Sequence, residues 1–170
     1  MSDHDHAGQS PPVETRPVAP ADDEFLLDVY ASTRADELAP VPWTDEQKRA
    51  FLRMQLDAQR GEYFKRFPDS DYRVILVGGR PAGRLWVART PTQIRLLDIA
   101  LLPEFRGRGL GARLVLELAE EARRAGLPLR HMVFQLNEGA LRFYERLGFA
   151  RLELHGAYWE MEKRTEGSKQ

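Results

Sequence analysis

The sequence predicts an α+β fold: a mixed, mostly antiparallel sheet of about seven strands with helices on both faces, in the order β-α-α-β-β-β-α-β-α-β-β. Three observations carry this. Short apolar runs are punctuated by turn signals, among them Gly78-Gly79-Arg80-Pro81, which marks a hairpin. Longer stretches with apolar residues every third or fourth position interrupt them as helices. Between residues 94 and 124 a buried strand, a basic glycine turn and a long helix follow one another directly, and the rest of the chain is arranged around them.

The totals bound the function. With 170 residues, 25 basic against 26 acidic, the chain suits one domain able to bury a core unaided. Balanced charge asks for no nucleic acid and no anionic membrane as partner. No apolar run approaches the ~20 residues of a membrane span, and the N-terminus lacks the apolar core of a signal peptide, so a cytoplasmic location is expected. Having no cysteine excludes disulfides, thiolate-metal sites and a cysteine nucleophile.

Residues 1–12 are polar, end in Ser10-Pro11-Pro12, and read as a flexible arm. Its His4 and His6 read as solvated tail residues, and no metal site is expected. The domain then spans 13–165, with a flexible tail over 166–170. A strand over 13–18 precedes a helix over 22–38, whose acidic start suits its dipole and whose face carries Phe25, Val29 and Ser32 or Thr33. After Pro40-Val41-Pro42-Trp43, Thr44 caps a helix expected over 45–60, with Phe51, Leu52, Met54 and Leu56 on its apolar side. Strands follow over 72–77, 83–89 and 94–102. Ala125-Gly126 ends the long helix. A strand over 129–135, a short helix from Asn137 to about 147, and a hairpin over 151–154 and 158–163 across His155-Gly156 complete the chain.

In the central stretch, Ile94, Leu96, Leu97, Ile99, Ala100, Leu101 and Leu102 form an apolar run stopped by Pro103, as in a strand covered on both faces. Arg106-Gly107-Arg108-Gly109-Leu110-Gly111 follows, and then Leu110, Leu114, Leu118 and Ala122 recur on one helical face. Glycines at a helix N-terminus let a ligand approach the backbone and turn N–H groups outward, which makes an anion site. The helix dipole adds about 0.3–1 kcal/mol for a negative group there. Arg106 and Arg108 supply fork-shaped donors that suit phosphate. No Gly-Lys-Ser/Thr is present, so this is not a nucleotide P-loop. Gly107, Gly109 and Ala112 fit a loose dinucleotide fingerprint, but no acidic residue follows at the required distance.

These residues resemble the GNAT superfamily of N-acetyltransferases. The family's Arg/Gln-x-x-Gly-x-Gly/Ala loop after an apolar-x-Pro step is similar to Leu101-Leu102-Pro103 followed by Arg106 to Gly111. A second family motif is similar to the run from Asn137 through Tyr144 to Phe149, at the expected distance. The resemblance implies a GNAT fold, with the strands 94–102 and 129–135 splayed and the pantetheine arm of acetyl-CoA lying between them like an extra strand. It also implies cofactor contacts from the backbone of Ile99, Ala100 and Leu101, from the loop residues Arg106, Gly107, Arg108, Gly109, Leu110, Gly111 and Ala112, and from Asn137. The first two helices would wall the acceptor cleft, with Trp43, Tyr63, Phe64 and Phe67 as aromatic candidates or core residues.

The activity implied is transfer of an acetyl group from acetyl-CoA to a primary amine, by direct attack in a ternary complex. A lysine-like amine with pKa ~10.4 is about 0.04% neutral at pH 7, which withholds about 4.6 kcal/mol until a base or a desolvating cleft removes the proton. Some relatives carry a catalytic Glu five residues before the motif Asn; here that residue is Met132. The candidates left are Asp98, isolated in an apolar strand, and His131. Tyr144, seven residues beyond Asn137 and so on its side of the helix, is the general acid that the resemblance implies for the leaving thiolate. The acceptor is a small molecule or a peptide or protein N-terminus, and a homodimer is compatible with the fold. The alternatives are a non-catalytic acyl-CoA sensor or partner subunit, and, third, a dinucleotide-binding protein.

Overall fold

The computed structural model describes residues 10–164. His4, His6, most of the expected arm and the expected tail lie outside the described residues. Seven strands, β1 (Val13–Pro17), β2 (Asp71–Val77), β3 (Arg80–Arg89), β4 (Ile94–Leu101), β5 (Leu129–Phe134), β6 (Ala150–His155) and β7 (Tyr158–Lys163), form one open sheet ordered β1-β2-β3-β4-β5-β7-β6. Neighbours are antiparallel except β4 and β5, which run parallel. The helices are α1 (Asp23–Leu38), α2 (Asp45–Arg66), α3 (Leu110–Ala125) and α4 (Glu138–Arg146). This is the expected α+β order of elements.

Two cores hold the helices to the sheet. On one face α3 and α4 bring Leu114, Leu118 and Leu141 against Leu85, Leu96, Leu129 and Val133. On the other, α1 presses Leu26 onto Trp86, Tyr72 and Leu97. Trp86 is fully buried, stacks on Tyr72 at 4.0 Å, meets Tyr63 edge-on at 5.0 Å, and donates its indole N–H to Ser70 Oγ at 2.8 Å. Aromatic pairs of this kind add about 0.5–1.5 kcal/mol each beyond area burial.

Both N-terminal helices differ from the sequence reading. In α1 the buried residues are Leu26, Leu27, Val29 and Tyr30, because the helix is covered by the sheet on one side and by Leu52 and Leu56 of α2 on another. A single apolar stripe describes only one of those faces. In α2 the Thr44–Gln47 capping box starts the helix as expected, but it runs six residues past 60, to Arg66. Gly61 meets open space, and its propensity cost of about 1 kcal/mol is outweighed by the sheet contacts of Tyr63 and Phe64 in the next turn. Met54, expected on the apolar side, is 61% exposed. In the first hairpin the turn is Gly78-Gly79, with φ of 56° and 77°, so β3 already begins at Arg80.

The register of β4 sets the site. On one side it pairs with β3 along its length, from Arg89↔Ile94 to Gly83↔Leu101. On the other it pairs with β5 only at Ile94↔Leu129, Arg95↔Arg130 and Leu96↔His131, and then the two strands part. A bulge falls at the parting: Val87 faces Leu96 and Trp86 faces Asp98, which leaves Leu97 as the extra residue. Leu97 packs beside Trp86, and Asp98 reaches the ion partner Arg84, so two consecutive side chains share the α1/α2 face.

At Gly83 the backbone of β4 leaves no room for a side chain on β3. A Cβ there would stand 2.1 Å from the carbonyl oxygen of Ala100 and 3.0 Å from Leu101 Cα, both backbone atoms. We expect Gly83→Ala to force the strands apart and cost about 1–3 kcal/mol, the range for overpacking a filled site. Thermal unfolding checks this, and an unchanged midpoint would show that the strand pair yields freely.

Candidate active site

Beyond Leu96 and His131, a hollow of about 400 Å³ opens along the freed edge of β4. Its lining comes from α1 (Ser32, Thr33), β4 (Ile99, Ala100, Leu101), the loop and first turn of α3 (Arg106, Gly111), and α4 (Phe143, Tyr144). Strand separation creates it, because β4 keeps its β3 partner while α4, rather than β5, approaches from the other side. Three β4 carbonyls are satisfied by side chains: Leu96 O by His131 Nδ1 at 2.8 Å, Leu97 O by the Tyr63 hydroxyl at 3.1 Å, and Leu101 O by Arg106 Nε at 2.9 Å.

At the outer end stands the glycine loop. Gly107 and Gly109 have φ of 74° and 76°, and a Cβ on either meets nothing within 4 Å, so conformation rather than crowding demands glycine at both. Gly109 is the N-cap of α3, and the first bond of the helix runs from Arg113 N–H to Gly109 O at 3.0 Å. The N–H groups of Leu110, Gly111 and Ala112 therefore precede the ladder and have no acceptor within it. An anion seat, as expected from the sequence, would use N–H groups of this kind. The two arginines are turned aside: Arg106 also donates to Ser32 Oγ at 3.1 Å, and Arg108 lies over the Phe105 ring at 5.7 Å. Leu110 packs with Phe105 rather than lining the hollow.

Of the three expected catalytic candidates, Tyr144 lines the hollow and His131 packs against it, while Asp98 lies near enough for its charge to act on both rings. The ring of Tyr144 is buried, with His131 at 4.7 Å, Phe143 at 5.1 Å and Phe149 at 5.3 Å. Burial, and then the Asp98 charge, push its phenol well above the ordinary tyrosine value, so it keeps its proton at any physiological pH. His131 is half-buried, and burial lowers its pKa despite the bond to Leu96 O. A carbonyl only accepts, so Nδ1 carries the proton and Nε2 of the neutral ring is an acceptor.

Asp98 has the partner that its place in an apolar strand demanded. Arg84 Nε lies 2.5 Å from Asp98 Oδ2, and Arg84 is 2% exposed. The pair is an ion contact out of line for a hydrogen bond, since both atoms lack a hydrogen-bonding partner. Gln59 Oε1 at 3.2 Å, the Tyr72 hydroxyl at 3.5 Å and the Tyr30 ring at 5.5 Å complete the surroundings of the guanidinium. Desolvation lowers the Arg84 pKa, and Asp98 together with the hydroxyls of Tyr72 and Tyr63 outweighs it, so the guanidinium stays above the ordinary arginine value. Tyr63, beside the same carboxylate, is pushed up to about 12, by burial first and Asp98 second.

Arg84 is the residue that sequence reasoning missed. Its signal was present: it is the one charge within the run Ala82 to Ala88, and two lone opposite charges in neighbouring apolar strands call for each other. Asn137 caps α4: its side-chain oxygen accepts from Ala140 N–H at 3.1 Å, and it is not among the residues that line the hollow. Of the aromatic candidates, Tyr63 braces the bulge, Phe67 packs in the Trp86 core, and Trp43 packs edge-on against Phe51 at 5.3 Å. Phe64 lines another hollow of about 460 Å³ beside β1 and β2. Both acids in its lining are held by arginines, Asp23 by Arg53 and Arg60, and Asp71 by Arg73 and Arg89.

Comparison with known proteins agrees with this geometry. The described chain superimposes on the PaiA N-acetyltransferase of Thermoplasma acidophilum in complex with coenzyme A, with a TM-score of 0.65 at 20% identity, over 90% of this chain and 99% of that one. An acetyltransferase of Thermus thermophilus gives 0.63 at 19% identity, over 88% and 94%. In sequence, an uncharacterized N-acetyltransferase of Methanocaldococcus jannaschii is 32% identical over 113 residues, 60% of this chain and 50% of that protein. A mycothiol acetyltransferase of Nocardiopsis dassonvillei is 40% identical over 76 residues, 44% of this chain and 20% of that protein. The chain thus spans half or less of these curated relatives. The family model described as the acetyltransferase (GNAT) family matches residues 30–149, which include the parted strands and the glycine loop, and the chain belongs to the GNAT acetyltransferase family.

Proposed function

We propose that this domain moves the acetyl group of acetyl-CoA to a primary amine by direct attack in a ternary complex. One observation carries the reading. A buried Tyr144 that keeps its proton and the first turn of α3, at Gly111, line one cleft, and the N–H groups of Leu110, Gly111 and Ala112 have no acceptor within that helix. A thioester with a phosphorylated tail needs a proton donor at one end and an anion seat at the other. No thiol nucleophile exists to hold the acetyl group in between.

The residues present fit acetyl-CoA. Leu110, Gly111 and Ala112 would hold the phosphates through their N–H groups, and Arg106 and Arg108 would add charge on swinging back. The β4 edge from Ile99 to Leu101 would take the extended arm by strand addition. The bound donor supplies an activated acyl group, and the protein supplies position and protons. Tyr144 gives its proton to the departing sulfur, whose conjugate acid is near 8.5 and so weaker as a base than an amine. His131 keeps the Tyr144 ring in place. Asp98, facing a buried guanidinium, presents a fixed negative charge that holds and orients the ammonium of the acceptor. The setting we propose is the cytoplasm. No helix among the described residues is long and apolar enough to cross a membrane.

The test is free-thiol release from acetyl-CoA in the presence of tyramine, glucosamine, spermidine or a short peptide. With no cysteine in the chain, every thiol detected comes from the donor. Stimulated release by one acceptor supports the reading, and acetyl-CoA binding without any release points to a sensor. Tyr144→Phe should lower kcat about 100-fold or more, as expected for losing a general acid, while the Kd for acetyl-CoA stays within about twofold. Equal loss of both would reduce Tyr144 to packing.

Gly109→Val places a β-branched residue at a φ of 76° and turns the N-cap away from the anion. We expect acetyl-CoA affinity by calorimetry to fall about tenfold or more, the loss of about 1.4 kcal/mol or more, in a protein with native circular dichroism. Unimpaired binding would sink the loop assignment. For Asp98→Asn the expected change is a raised KM for the amine with unaltered acetyl-CoA affinity. It also strips the buried Arg84 of its counter-ion, a change that costs about 3–5 kcal/mol where nothing replaces the charge. An unchanged amine KM would remove Asp98 from the acceptor site.

A further inference from the structure

On the α1/α2 face the helices cover the sheet only as far as β4. Among the described residues, neither of their cores takes a residue from β5, β6 or β7. That uncovered face carries an organised row of charges. Arg95 Nη1 of β4 donates to Glu160 Oε1 of β7 at 3.2 Å, and His155 Nε2 of β6 lies 3.2 Å from Glu160 Oε2. Arg130 of β5 approaches the first oxygen at 4.0 Å, and Glu153 of β6 stands 3.5 Å from the His155 ring. Although no helix lies over it, the Glu160 side chain is only 15% exposed.

The position of this carboxylate matters more than its burial. Leu96, His131 and Met161 form the last row before β4 and β5 part. Glu160 belongs to the next row, paired with Met132 and one strand away from the opening. Arg95, which holds it, acts electrostatically on both His131 and Tyr63, as Asp98 does. The row therefore reaches the neighbourhood where the catalytic candidates meet. Each carboxylate oxygen of Glu160 has a second lone pair beyond the bond described, enough to accept from a water or an amine.

Resting on the acetyl-transfer reading above, we propose that Glu160 is the proton acceptor for the incoming amine, through one bridging water, with His155 passing the proton to solvent. Asp98 is committed to Arg84 and serves as the anchor, and Met132 has no basic atom. The balance is complete. The ammonium loses one proton by way of Glu160 and His155 to bulk water. The freed lone pair forms the C–N bond as the C–S bond of the thioester breaks. Tyr144 protonates the departing sulfur, and the second N–H proton, released as the amide forms, restores Tyr144.

The experiment measures Glu160→Gln and the double variant Glu160→Gln with Met132→Glu, against wild type, with the fastest acceptor among tyramine, glucosamine, spermidine and a short peptide. Expected for Glu160→Gln are a fall of about 100-fold in kcat, loss of the ascending limb of the pH profile, and an unchanged Kd for acetyl-CoA. Calorimetric titration of the amine into the CoA-bound variant should show at least fivefold weaker binding. Met132→Glu, which restores a carboxylate on the adjacent strand and the same face, should recover at least a tenth of the wild-type rate. A Glu160→Gln enzyme within threefold of wild type, with the same pH profile, overturns the proposal. So does a loss that Met132→Glu fails to restore and that comes with weakened acetyl-CoA binding, because that pattern marks a structural ion pair. A wild-type protein that binds acetyl-CoA but acetylates none of the four removes the transfer reading and this inference with it.

Discussion

The structure depends on the parting of β4 from β5 after three paired residues. Backbone N–H and C=O groups taken out of a sheet must find other partners, and a free strand edge inside a domain is otherwise a liability. Here the debt is settled by side chains from three elements: His131 from β5, Tyr63 from α2 and Arg106 from the glycine loop. Those bonds tie the acceptor side, the donor side and the catalytic vertex to one strand. The stretch between the braces, around Ile99 and Ala100, stays available for an extended guest. The bulge at Leu97 works with the parting, since it turns Asp98 to the helix-covered face where Arg84 waits.

The Arg84–Asp98 pair is poor as a stabilising device and good as a positioning one. Exchanging two water-exposed ions for a buried contact commonly returns little net stability, whereas removing either partner is expensive. A guanidinium that is 2% exposed, with Gln59 and two tyrosines around it, cannot turn elsewhere for a counter-charge. Asp98 is thereby held with its charge at the cleft margin. The same charge helps keep Tyr63 and Tyr144 protonated. In the proposed reaction a single carboxylate thus serves acceptor binding and donor chemistry from one place.

Much of this was legible in the sequence for local reasons. The glycine turn could be read because positive φ and exposed N–H groups require a particular residue type at each of a few adjacent positions. The order of elements followed from turn residues and periodicity, and the candidacy of Tyr144 from the family resemblance. What escaped reading depends on distant pairing. Burial of α1 on two faces, extension of α2 through Gly61, and the bulge at Leu97 come from partners tens of residues away. Asn137 illustrates a further limit: its type suits both a cofactor contact and a helix cap, and the cap became visible only with the backbone around Ala140.

This difference between local and distant information explains why the donor half of the site is clearer than the acceptor half. In the proposed reading, coenzyme recognition rests on backbone geometry, which one contiguous segment specifies. Acceptor recognition would be assembled from side chains on α1, α2, β4, β5, β6 and β7, brought together only by sheet order. Because β7 lies between β5 and β6, Glu160 comes to face Met132 from 28 residues away. A carboxylate lost from one strand can therefore be offered by its neighbour without changing the fold, and the register of a sheet, more than any motif along the chain, decides which acid meets the amine.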